Sequence, residues 1–90
     1  MSAKILMMTY PNDGRKLQRL IVAILKQGLA SAVQRINYTK TYTLQEGKVK
    51  RNEEKIVLIH PTEESTDKLI SFIQKQHPSE QPKLIRLPVA

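Results

Sequence analysis

The side chains able to do chemistry are few and gather toward one end of the chain. His77 and Glu80 stand three apart in His77-Pro78-Ser79-Glu80-Gln81-Pro82, a spacing that across a helix end can aim an imidazole and a carboxylate at one point. Two ligands do not close a metal site, so the other donors would have to be His60, Met7, Met8 or a neighbouring subunit. A plainer reading has His77 closing a helix and Glu80 bonding backbone amides in a turn. The prolines framing the pair favour it. His60 precedes Pro61 at the end of an apolar run, as a cleft residue at a subunit boundary or, more simply, a polar residue where a strand ends. Met7 and Met8 are adjacent and face opposite ways in a strand, which makes them core rather than a soft-metal site.

The rest of the inventory disfavours an enzyme. No nucleophile stands with a base and an orienting group, and no two carboxylates have separable environments. Gly14, Gly28 and Gly47 are isolated, so no glycine-rich loop cradles phosphate. The absence of cysteine removes disulfides, thiolate catalysis and zinc–thiolate sites.

The elements that must position these residues are legible from period and punctuation. Lys4 to Tyr10 is a short apolar run halted by Pro11, a buried strand. Asn12-Asp13-Gly14 supplies turn chemistry and a helix cap. Leu17, Leu20, Ile21, Ile24 and Leu25 then recur at helical spacing up to Gly28, which is placed to end the helix in the left-handed conformation. Ala30 to Leu44 reads as a long strand with Ala30, Ala32, Ile36, Tyr38, Tyr42 and Leu44 on one face. Gln34 and Lys40 interrupt that face and suggest a bulge or a change of environment midway.

Gln45-Glu46-Gly47-Lys48 is the hairpin turn, with Gly47 available for positive φ. Val49 to Asn52 pairs back weakly, and Ile56 to Ile59 is a central strand covered on both faces, or on one face with the other turned to a subunit. A second helix starts at Thr62, with Glu63, Glu64 and Asp67 near its positive end and Leu69, Ile70, Phe72 and Ile73 inward. His77-Pro78 stops it. Leu84 to Leu87 is a last strand, closed by Pro88.

The order β-α-β-β-α-β in 90 residues predicts one α+β domain across residues 1–90. It is ferredoxin-like, a four-stranded antiparallel sheet with two helices on one face. Three Tyr and one Phe are too few to cover the other sheet face from within, which points to a homo-oligomer. No apolar run reaches membrane-spanning length and no secretory signal is visible at the start, so a cytoplasmic protein without a membrane partner is expected. The net charge of +7, from 15 Lys and Arg against eight Asp and Glu, suits an anionic partner, although the basic residues are dispersed. RNA-recognition domains share this element order. They display aromatics on the central strands, where this chain has Ile5-Leu6-Met7-Met8 and Ile56-Val57-Leu58-Ile59. A basic nucleic-acid-binding domain built on Tyr38, Tyr42, Arg35, Lys40, Lys48, Lys50 and Arg51 is the disfavoured alternative.

Several segments resemble the divalent-cation tolerance (CutA) family of small trimeric ferredoxin-like proteins. They are Thr9-Tyr10-Pro11-Asn12, Leu29-Ala30-Ser31-Ala32-Val33-Gln34, Glu46-Gly47-Lys48-Val49 and Glu53 to Ile59. The clearest is His77-Pro78-Ser79-Glu80-Gln81-Pro82, where His77, Pro78, Glu80, Pro82 and Pro88 keep the family's spacing. The resemblance implies a PII-like homotrimer with clefts between subunits. It also implies a divalent cation such as copper, or a small anion, as ligand, with His77, Glu80 and His60 as the metal candidates. The chain departs from the family in having Ala32 where a metal-ligating Cys is usual, Ser79 in place of Tyr, and Gln45 in place of a Trp near the hairpin. A Tyr-Leu-x-Trp stretch typical of relatives is not found before Ala90.

Overall fold

In a computed structural model, residues 3–11, 13–62, 65–76 and 82–89 are described. The elements are β1 (Ala3–Pro11), α1 (Gly14–Lys26), β2 (Ala30–Gln45), β3 (Lys48–Pro61), α2 (Thr66–Gln76) and β4 (Lys83–Val89). One sheet has the order β2-β3-β1-β4 with every neighbouring pair antiparallel. This is the ferredoxin-like arrangement expected of the order β-α-β-β-α-β.

Alternation on the central strands fixes which face meets the helices. Leu6, Met8 and Tyr10 on β1 and Val57 and Ile59 on β3 are buried against Leu17, Leu20, Ile21 and Ile24 of α1 and Leu69 and Ile73 of α2. Met7, Ile56 and Leu58 fall on the opposite face and are only half-buried. Leu25, expected among the buried residues of α1, is 42% exposed, because the four preceding apolar positions already fill the stripe that meets the sheet.

The ends of α1 follow local chemistry. Asp13 caps it, its carboxylate accepting from Lys16 N at 3.1 Å. At the other end Gly28 has φ +70°. Its amide donates to the Leu25 carbonyl at 3.1 Å and that of Leu29 to Ile24 at 3.2 Å, the paired bonds of a Schellman stop.

Three further expectations need correction. The second helix begins at Thr66, not Thr62. Thr62 instead donates its hydroxyl to the Gly28 carbonyl at 2.9 Å, with Ser65 Oγ 2.7 Å away. It thereby ties the start of this turn to the end of α1, and the Ser65 carbonyl accepts the first helical bond, from Leu69. Glu63 and Glu64 lie outside the described residues. Next, β3 is one strand of 14 residues through the charged Glu53-Glu54-Lys55 stretch, not a weak return followed by a separate strand. A strand needs a continuing ladder more than apolar side chains, and β2 supplies one from Thr39 opposite Glu54 to Gln45 opposite Lys48, while β1 pairs with Lys55 and Glu54.

Finally, Ala30, Ala32, Ile36, Tyr38, Tyr42 and Leu44 do not share a face. Register shifts between Ala30 and Ala32 and between Ile36 and Thr39 each insert one residue and reverse the side on which the following residues lie. Ala32 and Ile36 pair with His60 and Ile56 on the face away from the helices. Tyr42 and Leu44 pair with Arg51 and Val49 on the other. The second shift is the bulge that Gln34 and Lys40 suggested.

Candidate functional site

Of the three metal candidates His77, Glu80 and His60, only His60 lies among the described residues. It stands half-buried near the end of β3, opposite Ala32, on the sheet face away from the helices. Its Nε2 lies 3.2 Å from Gln34 Oε1 on β2, and its backbone carbonyl accepts from Ser31 Oγ at 3.4 Å. Gln34 is there because it is two residues from Ala32 along β2, on the same side of the strand. Glutamine oxygen beside imidazole nitrogen makes an oriented polar patch on this sheet face. His77 and Glu80 lie outside the described residues. Among the described residues no three His, Cys, Asp or Glu side chains converge as a cation would require. His60 on its own brings one nitrogen. Met8 is fully buried and Met7 points to the opposite face of β1.

A different constellation forms where β2 and β3 pass under the first turn of α1. Arg35 reaches up from β2 and donates from Nη1 to Gln18 Oε1 at 3.1 Å and to the Gly14 carbonyl at 3.4 Å, and from Nε to Asn37 Oδ1. Lys55, on β3, is buried, and its ammonium donates to the Asn37 carbonyl at 3.3 Å. Beside Lys55 a recess of about 170 Å³ opens among Asn37, Tyr38, Thr39, Lys40, Glu53 and Glu54. It sits at the bulge, where Tyr38 is 96% exposed. The sequence reading missed this grouping. Its signal was the alternation Lys55-Val57-Ile59, which places the lysine on the helix-covered face two residues before the core begins.

Beyond the bulge the β2–β3 hairpin runs past the helices as a two-stranded ribbon. Its loop is Glu46-Gly47, with φ +51° and +76°, the handedness that matches strand twist in a two-residue hairpin. Leu44 and Val49 face each other across it, 73% and 72% exposed, next to Tyr42 at 63%. A two-stranded ribbon with an uncovered apolar side is marginal by itself in water.

The CutA1 divalent ion tolerance protein model matches residues 4–90. Comparison with curated protein sequences gives no match. Among solved structures, CutA1 from Oryza sativa is 26% identical with a TM-score of 0.82, the match covering 100% of this chain and 82% of that one. The CutA from Synechococcus elongatus is 25% identical with a TM-score of 0.81, covering 97% and 76%. The divalent cation tolerance protein from Thermus thermophilus, at 22% identity, 0.82 and coverage of 100% and 85%, supports the fold. The sheet order, the two helices on one face and a family match over almost the whole sequence agree: this chain belongs to the CutA1 divalent ion tolerance family.

Proposed function

We propose that the protein is a cytoplasmic, homotrimeric binding and signalling module of the divalent-ion-tolerance kind, one PII-like domain per chain, which performs no catalysis. The observation that carries this reading is the ribbon of β2 and β3. Leu44, Val49 and Tyr42 stand in water on a hairpin that its own helices do not cover, and a second copy of the chain supplies the missing cover. Three copies is the number that family resemblance implies. The half-buried row of Met7, Ile56 and Leu58 on the open sheet face gives the same association a second surface. No helix among the described residues is long and apolar enough to cross a membrane.

Clefts between subunits are then the ligand sites. A divalent cation such as copper would use His77 and Glu80, with His60 and a neighbouring subunit supplying what two ligands lack. Light scattering at micromolar protein is expected to return three times the 10.3 kDa chain mass. A monomer mass removes the proposal. For the cation, calorimetry with copper and with zinc is expected to show weaker binding in His77→Ala than in the unmodified chain. Identical isotherms would rule His77 out.

A further inference from the structure

Lys55 and Arg35 bring two positive charges together with only neutral oxygens as their hydrogen-bond acceptors among the described residues. Lys55 is 9% exposed, and its ammonium has one acceptor, the Asn37 carbonyl at 3.3 Å. The acceptors of Arg35 are two amide oxygens and a carbonyl, on Asn37, Gln18 and Gly14. A methyl group built on Gly14 would lie 3.1 Å from Arg35 Nη2 and 3.6 Å from Lys55 Cε. Both side chains therefore pass close to the same backbone position, which the missing side chain of residue 14 lets them approach. Among the described residues no carboxylate forms an ion pair with either cation. Glu53 and Glu54 line the recess beside Lys55, and Asp13 is engaged in capping α1 through Lys16 N.

A buried cation without a counter-charge is among the least favourable placements a folded chain can hold, and a second cation beside it raises the penalty. The positive end of α1 adds to the same potential. An anion is the complement that this grouping of charges favours. Its shape is constrained by the donors left over: Arg35 Nη2 has no acceptor among the described residues, and Lys55 has two N–H directions unused. One edge of a guanidinium and an ammonium together fit two oxygens of a single oxyanion.

We infer that Arg35 and Lys55, brought together beside Gly14, form a binding site for a small oxyanion, a phosphate or carboxylate group, within one chain. The recess at the bulge, lined by Lys40 as well as by Glu53 and Glu54, reaches the Lys55 side of this site. This site gives the anionic ligand considered above a position of its own and does not depend on how subunits associate.

The test uses the full chain at constant ionic strength, with chloride as the balancing salt. Inorganic phosphate and, separately, acetate are titrated by calorimetry and by the shift of the thermal midpoint. At least one is expected to bind the unmodified protein and raise its midpoint, and which of the two does so separates phosphate from carboxylate recognition. Affinity should fall about tenfold or more in Lys55→Met and in Arg35→Gln, as loss of a charged hydrogen bond implies. It should stay unchanged in Lys50→Met, which removes an exposed hairpin charge.

The sign of a second readout follows from the buried charge of Lys55. With no binding anion present, Lys55→Met is expected to melt above the unmodified protein; with saturating anion the order reverses. No response of the unmodified protein to millimolar phosphate or acetate, or an equal response in Lys55→Met, overturns the site. Loss of assembly in both variants, seen by light scattering without any anion response in the unmodified protein, would assign the two charges to a carboxylate of a second copy and overturn it as well.

Discussion

At the scale of single residues, the backbone makes the sharpest demands at Gly28 and Glu46. Gly28 sits at φ +70° with open space where a Cβ would go, so Gly28→Ala meets no clash and isolates the conformational cost. A loss of about 1–2 kcal/mol is expected, read as a lower denaturant midpoint with an unchanged slope. Glu46, at φ +51°, bears the same strain in the native chain. Glu46→Asn should therefore stabilise by a few tenths of a kcal/mol to about 1 kcal/mol, since asparagine tolerates this region better. The fully buried Leu69 belongs to a third class, in which Leu69→Ala leaves a cavity and should cost about 2–5 kcal/mol in the same denaturant assay.

Elements show how far the sequence could be read. Apolar spacing from Leu17 to Ile24 and the glycine after it locate α1 almost to the residue, because an amphipathic stripe and a left-handed stop are both local properties. The start of α2 was less legible, since Thr62 bonds to the Gly28 carbonyl, a partner 34 residues away that no local rule contains. The unbroken course of β3 was hidden for a related reason: its polar half is held by β2 and not by burial. Of the candidate site, the position of His60 at a strand end was visible, but Gln34 as its neighbour depended on strand register. The burial of Lys55 depended on which face the helices cover. For the hairpin, Leu44→Asp with Val49→Asp is expected to leave the circular dichroism of the fold in place while abolishing assembly in light scattering. An unchanged assembly mass would show that the ribbon is not the joint.

For the whole molecule, the formal net charge of +7 and the weak single-chain cover of the open sheet face act together. Like charge opposes association of identical chains, and salt screens it over about 8–10 Å at 0.1–0.15 M. If copies associate through apolar surface, moving from low salt to about 0.15 M should favour the assembled form, seen as a higher average mass at fixed protein concentration. Association through opposite charges would give the reverse trend. The exposed Arg86–Asp67 pair, 2.8 Å apart between β4 and α2, is too solvated to influence either outcome.

The bulge between Ile36 and Thr39 makes β2 two strips with opposite phase joined end to end. In the first strip Val33 packs against the core while Ile36 looks the other way; in the second, Tyr42 and Leu44 look toward the helix side. The joint therefore decides independently what the compact body buries and what the ribbon displays. Deleting Tyr38, which is almost fully solvated, would bring the strips into phase. The body would keep its own pairing, and the ribbon would turn Tyr42 and Leu44 to the opposite side, giving a protein that folds but, on the proposed self-association, offers its copies the wrong face.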